Sequence, residues 1–240
     1  MSPHILALGD GALTLEFGDR LDPANNARVM AARDALVATR LDGISDVVPT
    51  YRSLTVHFDP LRLDRNTLIE RLLETAQAKA GESAPATRWR IPVLFGGDTG
   101  PDLAEIAQAT GRSEETIIET LCDCELRVFL IGFLPGFPYL GEIPEWLRLP
   151  RRATPRTAVP ANSLAITGSQ AAIYPWQSPG GWHLLGRTPV RLFDLNRTDH
   201  PALLEPGDTV RFAPISRDEF DRLEAADAAG KITPRDWQAA

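Results

Sequence analysis

Cysteine is nearly missing from this 240-residue chain: it has two, Cys122 and Cys124, too few for a disulfide framework and too close to bridge easily. Their Cys-Asp-Cys spacing also lacks the paired C-x2-C ligands of a structural zinc site, so no metal centre is expected. No apolar run approaches the ~20 residues that span a bilayer. The most apolar stretch, VFLIGFLPGF, is interrupted by Pro135. The N-terminus, MSPHILALGDGALTLEFGD, lacks a basic start and meets Asp10 and Glu16 early, so no secretory signal is read and a cytoplasmic location is expected. A Walker A loop and a G-x-S-x-G elbow are both missing, and Ser178 and His183, close together in SPGGWH, have no marked orienting acid. The net charge of −7 weighs against non-specific nucleic-acid binding. The helix pair read in PDLAEIAQATGRSEETIIETL opens its second helix on Ser113, Glu114 and Glu115, where a recognition helix needs basic or amide side chains.

The most informative absence is local. From Trp146 to Phe193 there is neither Asp nor Glu, yet Arg148, Arg151, Arg152, Arg156, Arg187 and Arg191 all lie there. A cationic, proline-punctuated region in an acidic chain is expected to receive an anion. The competing expectation is pairing with some of the 32 acidic residues elsewhere in the chain. In PRRATPR, Arg151, Arg152 and Arg156 sit between Pro150, Pro155 and Pro160, which stiffen the backbone that carries them. Planar guanidinium forks suit carboxylate or phosphate. SPGGW offers either an amide nest beside Arg187 or a tight turn. PGFPYLG presents Phe137 and Tyr139 as a pocket wall, an interface anchor or a core turn.

Periodicity gives the architecture, with a hydrophobic fraction of 43% and a charged fraction of 24%, as in a globular protein. ALTLEF and SLTVHF alternate as half-buried strands. Asp22-Pro23 opens a helix to about Arg40 with Val29, Met30, Leu36 and Val37 on its stripe. NTLIERLLETAQAKA forms a second, with Leu68, Ile69, Leu72, Leu73 and Ala76. With ILALG and DVVP as strands, residues 1–80 read as two ββα units of a small α+β domain. GESAPAT, 81–87, reads as a linker. In 88–240, WRIPV, ELRVFLIGFL, SLAITG, AAIYP, WHLLG, VRLFDL and TVRFAP are strand-like and separated by Gly/Pro turns, which predicts a β-barrel. SRDEFDRLEAADAAGKI reads as a closing helix.

The blocks GFLPGFPYLG, PRRATPRTAVPANSLAITGSQ, IYPWQSPGGWHLLGRTP and LLEPGDTVRF, with LGDGALTLEFGD and VVPTYRSLTVHFDP, resemble the family of the 5-oxoprolinase B subunit, also called allophanate hydrolase subunit 1 or KipI. The resemblance covers nearly all of residues 4–215. It implies an N-terminal α+β domain followed by a cyclophilin-like barrel. It also implies ATP, with Mg2+ bound through it, and two partners: a C subunit, which is a second cyclophilin-like barrel protein, and an A subunit of the LamB/YcsF type. Together these would cleave 5-oxoproline to glutamate. The B and C subunits would activate the lactam by phosphorylation. Other relatives imply alternatives: carboxyl transfer in urea metabolism, or inhibition of a histidine kinase. Carried over residue by residue, catalytic roles fall on Arg156, Arg187 and Gln170. Substrate or ATP contacts fall on Pro135, Gly136, Phe137, Arg151, Arg152, Tyr174, Ser178, Gly180, Gly181 and Trp182. The sequence departs from the family pattern at Leu121, where relatives carry His, and at Ala171-Ala172, where they carry Thr-Gly.

Overall fold

The computed structural model describes residues 3–78, 86–198 and 200–239. Contacts divide the chain into two units, Met1–Pro85 and Ala86–Ala240. Of the expected linker, 81–85 lie outside the described residues, while the amide of Thr87 donates to Asp208 in the second unit.

The first unit runs β1 (His4–Ala7), β2 (Ala12–Glu16), α1 (Pro23–Ala38), β3 (Ile44–Pro49), β4 (Ser53–Phe58) and α2 (Arg65–Thr75). This is the expected ββα pair, closed into an antiparallel sheet of order β1-β2-β4-β3. Period-two alternation puts Leu13, Leu15, Leu54, Val56 and Phe58 on the buried face against Val29, Leu36, Leu68 and Leu72 of the helices. On the opposite face Thr14 and Thr55 meet hydroxyl to hydroxyl at 2.9 Å. Asp22 caps α1 through the amide of Ala24 and Asp64 caps α2 through that of Thr67. Val37 and Leu73, expected on the apolar stripes, are instead exposed, each one residue beyond a buried leucine and so about 100° around its helix.

The second unit begins with β5 (Arg88–Phe95), α3 (Leu103–Thr110) and α4 (Glu114–Asp123), then β6 (Leu126–Ile131), β7 (Pro138–Gly141), β8 (Arg156–Val159), β9 (Ser163–Thr167) and β10 (Gln170–Tyr174). It closes with β11 (Ser178–Gly180), β12 (His183–Arg187), β13 (Thr209–Pro214) and α5 (Arg217–Ala228). Seven strands form a closed barrel of order β10-β7-β6-β13-β5-β12-β9. The pair β8 and β11 stands apart as a two-stranded sheet. Gly111 ends α3 in the left-handed region and Ser113 caps α4, as the turn between the two predicted helices requires.

Two predicted elements differ. VRLFDL, 190–195, is a loop that pairs at a single bridge, Phe193 to Ala202. The Val190 amide donates to the hydroxyl of Thr188, which takes it out of any ladder, and past the bridge the Asp194 carboxylate turns the chain by accepting from the Asn196 amide. SPG, expected as a nest or turn, is the extended strand β11. Successive residues on the barrel strands serve two cores. Leu140, Leu164, Ile166, Ala171, Ile173 and Leu185 join the large cluster with α3 and α4, while Tyr139, Ala165, Ala172, Tyr174 and Leu184 join a smaller aromatic one. No helix among the described residues is long and apolar enough to cross a membrane.

Candidate functional site

The acid-free stretch finds its acids in space. Asp102 stands at the start of α3, 3% exposed, and its carboxylate leaves the helix amides uncapped. One oxygen, Oδ1, accepts from Arg152 Nη1 at 2.9 Å and from Arg156 Nη2 at 2.6 Å. The other, Oδ2, accepts from the Leu184 amide at 2.7 Å, and the Asp102 amide donates to the Leu184 carbonyl at 3.1 Å. Glu105, one turn along α3, takes a second bond from Arg152 Nη1 at 3.0 Å. Arg148 donates to the Ile143 carbonyl, and Arg191 pairs with Asp194 and Asp227. The expected cluster of six guanidiniums therefore reduces to a pair gathered by one buried carboxylate, with Arg151 next to it. Arg151 is exposed and makes no ion pair among the described residues.

Tyr139 and Tyr174 lie within electrostatic reach of this corner. Burial pushes the Tyr174 phenol up to about 12, with Tyr139 adding to the rise and Arg151 and Arg156 opposing it. Burial likewise raises Tyr139 against the pull of Arg151. Both phenols stay protonated at neutral pH and present hydroxyl donors. Behind them Phe137, Tyr174 and Trp182 pack edge to face, with centroids 5.0 and 6.3 Å from Phe137. A side chain at Gly180 would collide with the Tyr174 hydroxyl at 2.4 Å, so β11 closes directly over that ring.

His183 opens β12, 8% exposed, with Nε2 2.9 Å from the Pro150 carbonyl. It lines a cleft of about 440 Å3 with Glu105, Leu149, Arg151, Arg152 and Thr154. A larger cavity, about 600 Å3, lies over β5 and β13 and contains none of the predicted site residues. Cys122 lines it with its thiol pushed up to about 11 by burial, which favours the protonated thiol at neutral pH.

The structure thus brings Arg151, Arg152, Arg156, Tyr174, Gly180, Gly181 and Trp182 into one neighbourhood, with the Gly181 carbonyl accepting from the Arg152 amide at 2.8 Å. Phe137 is 1% exposed, a core residue that touches no solvent. Gly136 turns the chain at φ 76°, and Pro135 lies exposed beside it. Ser178 pairs with Val159 at the far end of β11 from Gly180. Gln170 shares a strand face with Tyr174 but sits roughly 13 Å away along β10. Arg187 is separated from Arg156. It donates to the Ala161 carbonyl at 3.0 Å and lies 3.6 Å from Glu224 on α5, beyond the other end of β8. Leu121 is fully buried among the large core cluster. Sequence reasoning missed Asp102 and Glu105. The signal for Asp102, an Asp after Pro before an apolar-periodic run, announces a helix cap and not an arginine holder.

Residues 3–204 match the family described as "Carboxyltransferase domain, subdomain C and D". The chain is 40% identical over 210 residues to the 5-oxoprolinase B subunit of Escherichia coli O157:H7, covering 86% of this chain and 94% of that protein. It is 34% identical over 228 residues to the 5-oxoprolinase B subunit of Bacillus subtilis, covering 90% and 95%. Among solved structures it resembles TTHA0988 with a TM-score of 0.76 and 38% identity, covering 85% of this chain but only 40% of that one, so it spans about two fifths of the longer molecule. Across residues 3–204, which hold the arginine corner and every barrel strand but β13, the chain belongs to the carboxyltransferase-domain family, subdomain C and D, alongside the B subunits of 5-oxoprolinase.

Proposed function

We propose that this chain is the B subunit of an ATP-dependent 5-oxoprolinase, converting 5-oxo-L-proline, ATP and water to L-glutamate, ADP and phosphate together with its A and C subunits. The observation that carries the reading is the similarity to a protein of that name across 94% of its length. The geometry supports it: the site has guanidiniums, phenols and an aromatic floor but no nucleophile hydrogen-bonded to a base among the described residues. Such a site contributes positioning and charge stabilisation.

A group with one or two negative oxygens fits beside Arg151 and Tyr139, the exposed guanidinium and the half-buried phenol of this corner, with Tyr174 buried behind them. A triphosphate fits only in part. Asp102 and Glu105 already offset Arg152 and Arg156, leaving Arg151 as the surplus cation. No group of three or more His, Cys, Asp or Glu able to hold a metal occurs among the described residues, so Mg2+ would ride on the nucleotide. When bound, ATP supplies the phosphoryl group that activates the lactam. Here Arg151 would supply the charge that holds the substrate carboxylate or the terminal phosphoryl, and Arg156, its charge offset by Asp102, would add a hydrogen bond from its unpaired Nη1, with the remaining contacts coming from a partner.

Arg156→Ala is expected to lower 5-oxoproline turnover by the co-expressed complex about 100-fold, the scale of a lost charge-stabilising donor. Arg187→Ala is expected to change it less than about threefold, because that side chain ties Ala161 to α5. ADP and glutamate formation measure both, and equal losses in the two variants would refute the division. Glutamate formation also separates this reading from carboxyl transfer, which the family description favours and which consumes no 5-oxoproline.

Partner contact is proposed at Phe133 and Trp176, 65% and 47% exposed. Phe133 sits at φ 70° in a tight turn closed by Leu134 to Gly132 at 2.9 Å, a strained arrangement that holds the ring outward. Trp176 is fixed by its indole bond to the Pro135 carbonyl and by Phe193. Phe133→Asp with Trp176→Asp is expected to weaken binding of the C subunit at least about 100-fold in calorimetry. Unchanged affinity would place the interface elsewhere.

A further inference from the structure

Buried polar atoms without a partner are rare, and each calls for an explanation. Three nitrogens in this condition fall in one neighbourhood: Arg152 Nε, Arg156 Nη1 and His183 Nδ1. Arg152 and Arg156 meet on Asp102, and Arg152 and His183 line the same 440 Å3 cleft between α3 and residues 149–154.

Their polarity is mixed. The Pro150 carbonyl can only accept, so His183 Nε2 carries a proton, and the remaining ring nitrogen, Nδ1, accepts whenever the ring is neutral. Arg152 Nε and Arg156 Nη1 can only donate. A bare anion would satisfy both arginine nitrogens and leave Nδ1 unmatched. The complement is a small group that carries an N–H beside oxygen acceptors on one edge. A ring amide has that edge, because closure into a small ring forces N–H and C=O to the same side. An open-chain secondary amide is trans and turns them to opposite sides. Resting on the 5-oxoprolinase reading, we infer that this cleft binds the lactam itself. The ring N–H donates to His183 Nδ1 and the ring carbonyl accepts from Arg152 Nε, the two orphaned nitrogens whose side chains line the cleft, while Arg156 Nη1 stands beside it on Asp102 for the carboxylate. These nitrogens are shielded from solvent, so the occupant eases residues 153–155 away from α3, beyond the Pro150 and Arg152 contacts it relies on. That segment contains neither helix nor strand.

The test compares 5-oxoproline with its lactone, 5-oxotetrahydrofuran-2-carboxylate, which keeps the carbonyl and carboxylate and lacks the N–H. In the wild-type complex the lactone, assayed as a competitive inhibitor, is expected to bind about tenfold more weakly than the lactam, one hydrogen bond's worth. His183→Gln keeps an amide nitrogen where Nε2 contacted Pro150 but has no acceptor at Nδ1. It should bind lactam and lactone alike, with KM for ATP unchanged. His183→Asn restores a polar atom near Nδ1 and should recover the preference. A His183→Gln complex that still prefers the lactam overturns the subsite while leaving the functional reading intact, as does an Asn variant that loses the preference with Gln. Failure of the wild-type complex to turn over 5-oxoproline removes both.

Discussion

Asp102→Ala is expected to cost about 3 kcal/mol of stability and to abolish 5-oxoproline turnover by the assembled enzyme. The argument is one of counting partners. This carboxylate is nearly fully buried, collects two guanidiniums on one oxygen and a strand amide on the other, and returns its own amide to the same strand. Removing it leaves two half-buried cations facing each other and strips the Leu184 amide of its acceptor, and an uncompensated buried group costs more than the pair contributed. In a domain of this size 3 kcal/mol corresponds to a fall in Tm of about 6–12 °C. Asp102→Asn keeps an oxygen for the Leu184 amide but loses the charge, so it should melt between wild type and the alanine variant while turnover stays low. Thermal melting beside an ADP assay checks both numbers. An alanine variant with wild-type Tm would mean that Arg152 and Arg156 are placed by something other than Asp102.

What could be read from the sequence follows from the range of each interaction. Strand alternation and helix caps are set by neighbours two to four residues apart, so ALTLEF, SLTVHF and the cap at Asp22 could be read directly. Val37 and Leu73 show the limit of a stripe read by eye, since adjacent hydrophobic residues on a helix point in different directions. VRLFDL has strand composition, but Thr188 captures the Val190 amide that a ladder would need, and Asp194 turns the chain at Asn196. The arginines are legible in the sequence and their partners are not. An acid-free span of sequence says nothing about Asp102 and Glu105, which come from α3 some fifty residues earlier. Phe137 illustrates the same gap: the PGF turn is legible, but only the packing of Tyr174 and Trp182 across it makes that ring core instead of surface.

Gly100→Ala is the second large effect expected, and it acts on the site through the backbone. A Cβ at Gly100 would stand 2.0 Å from the Leu185 carbonyl oxygen and 2.3 Å from its carbon, both main-chain atoms of a barrel strand that cannot swing aside. The loop is pinned there from both directions. Gly96 donates to the Leu185 carbonyl at 3.0 Å, Gly100 donates back to Gly96 at 2.9 Å, and two residues later Asp102 docks on Leu184. Adding one methyl therefore forces the loop off β12 and draws Asp102 away from both arginines. Loss of about 3 kcal/mol or more is expected, comparable to other overpacking changes, together with a fall in turnover parallel to that of Asp102→Asn. Gly97→Ala is the control: its φ of 55° costs roughly 1 kcal/mol for a side chain, but nothing lies within 4 Å of the added carbon. If Gly100→Ala melts no lower than Gly97→Ala, the loop has room to yield, and the close approach of glycine to Leu185 is not what sets the carboxylate between Arg152 and Arg156.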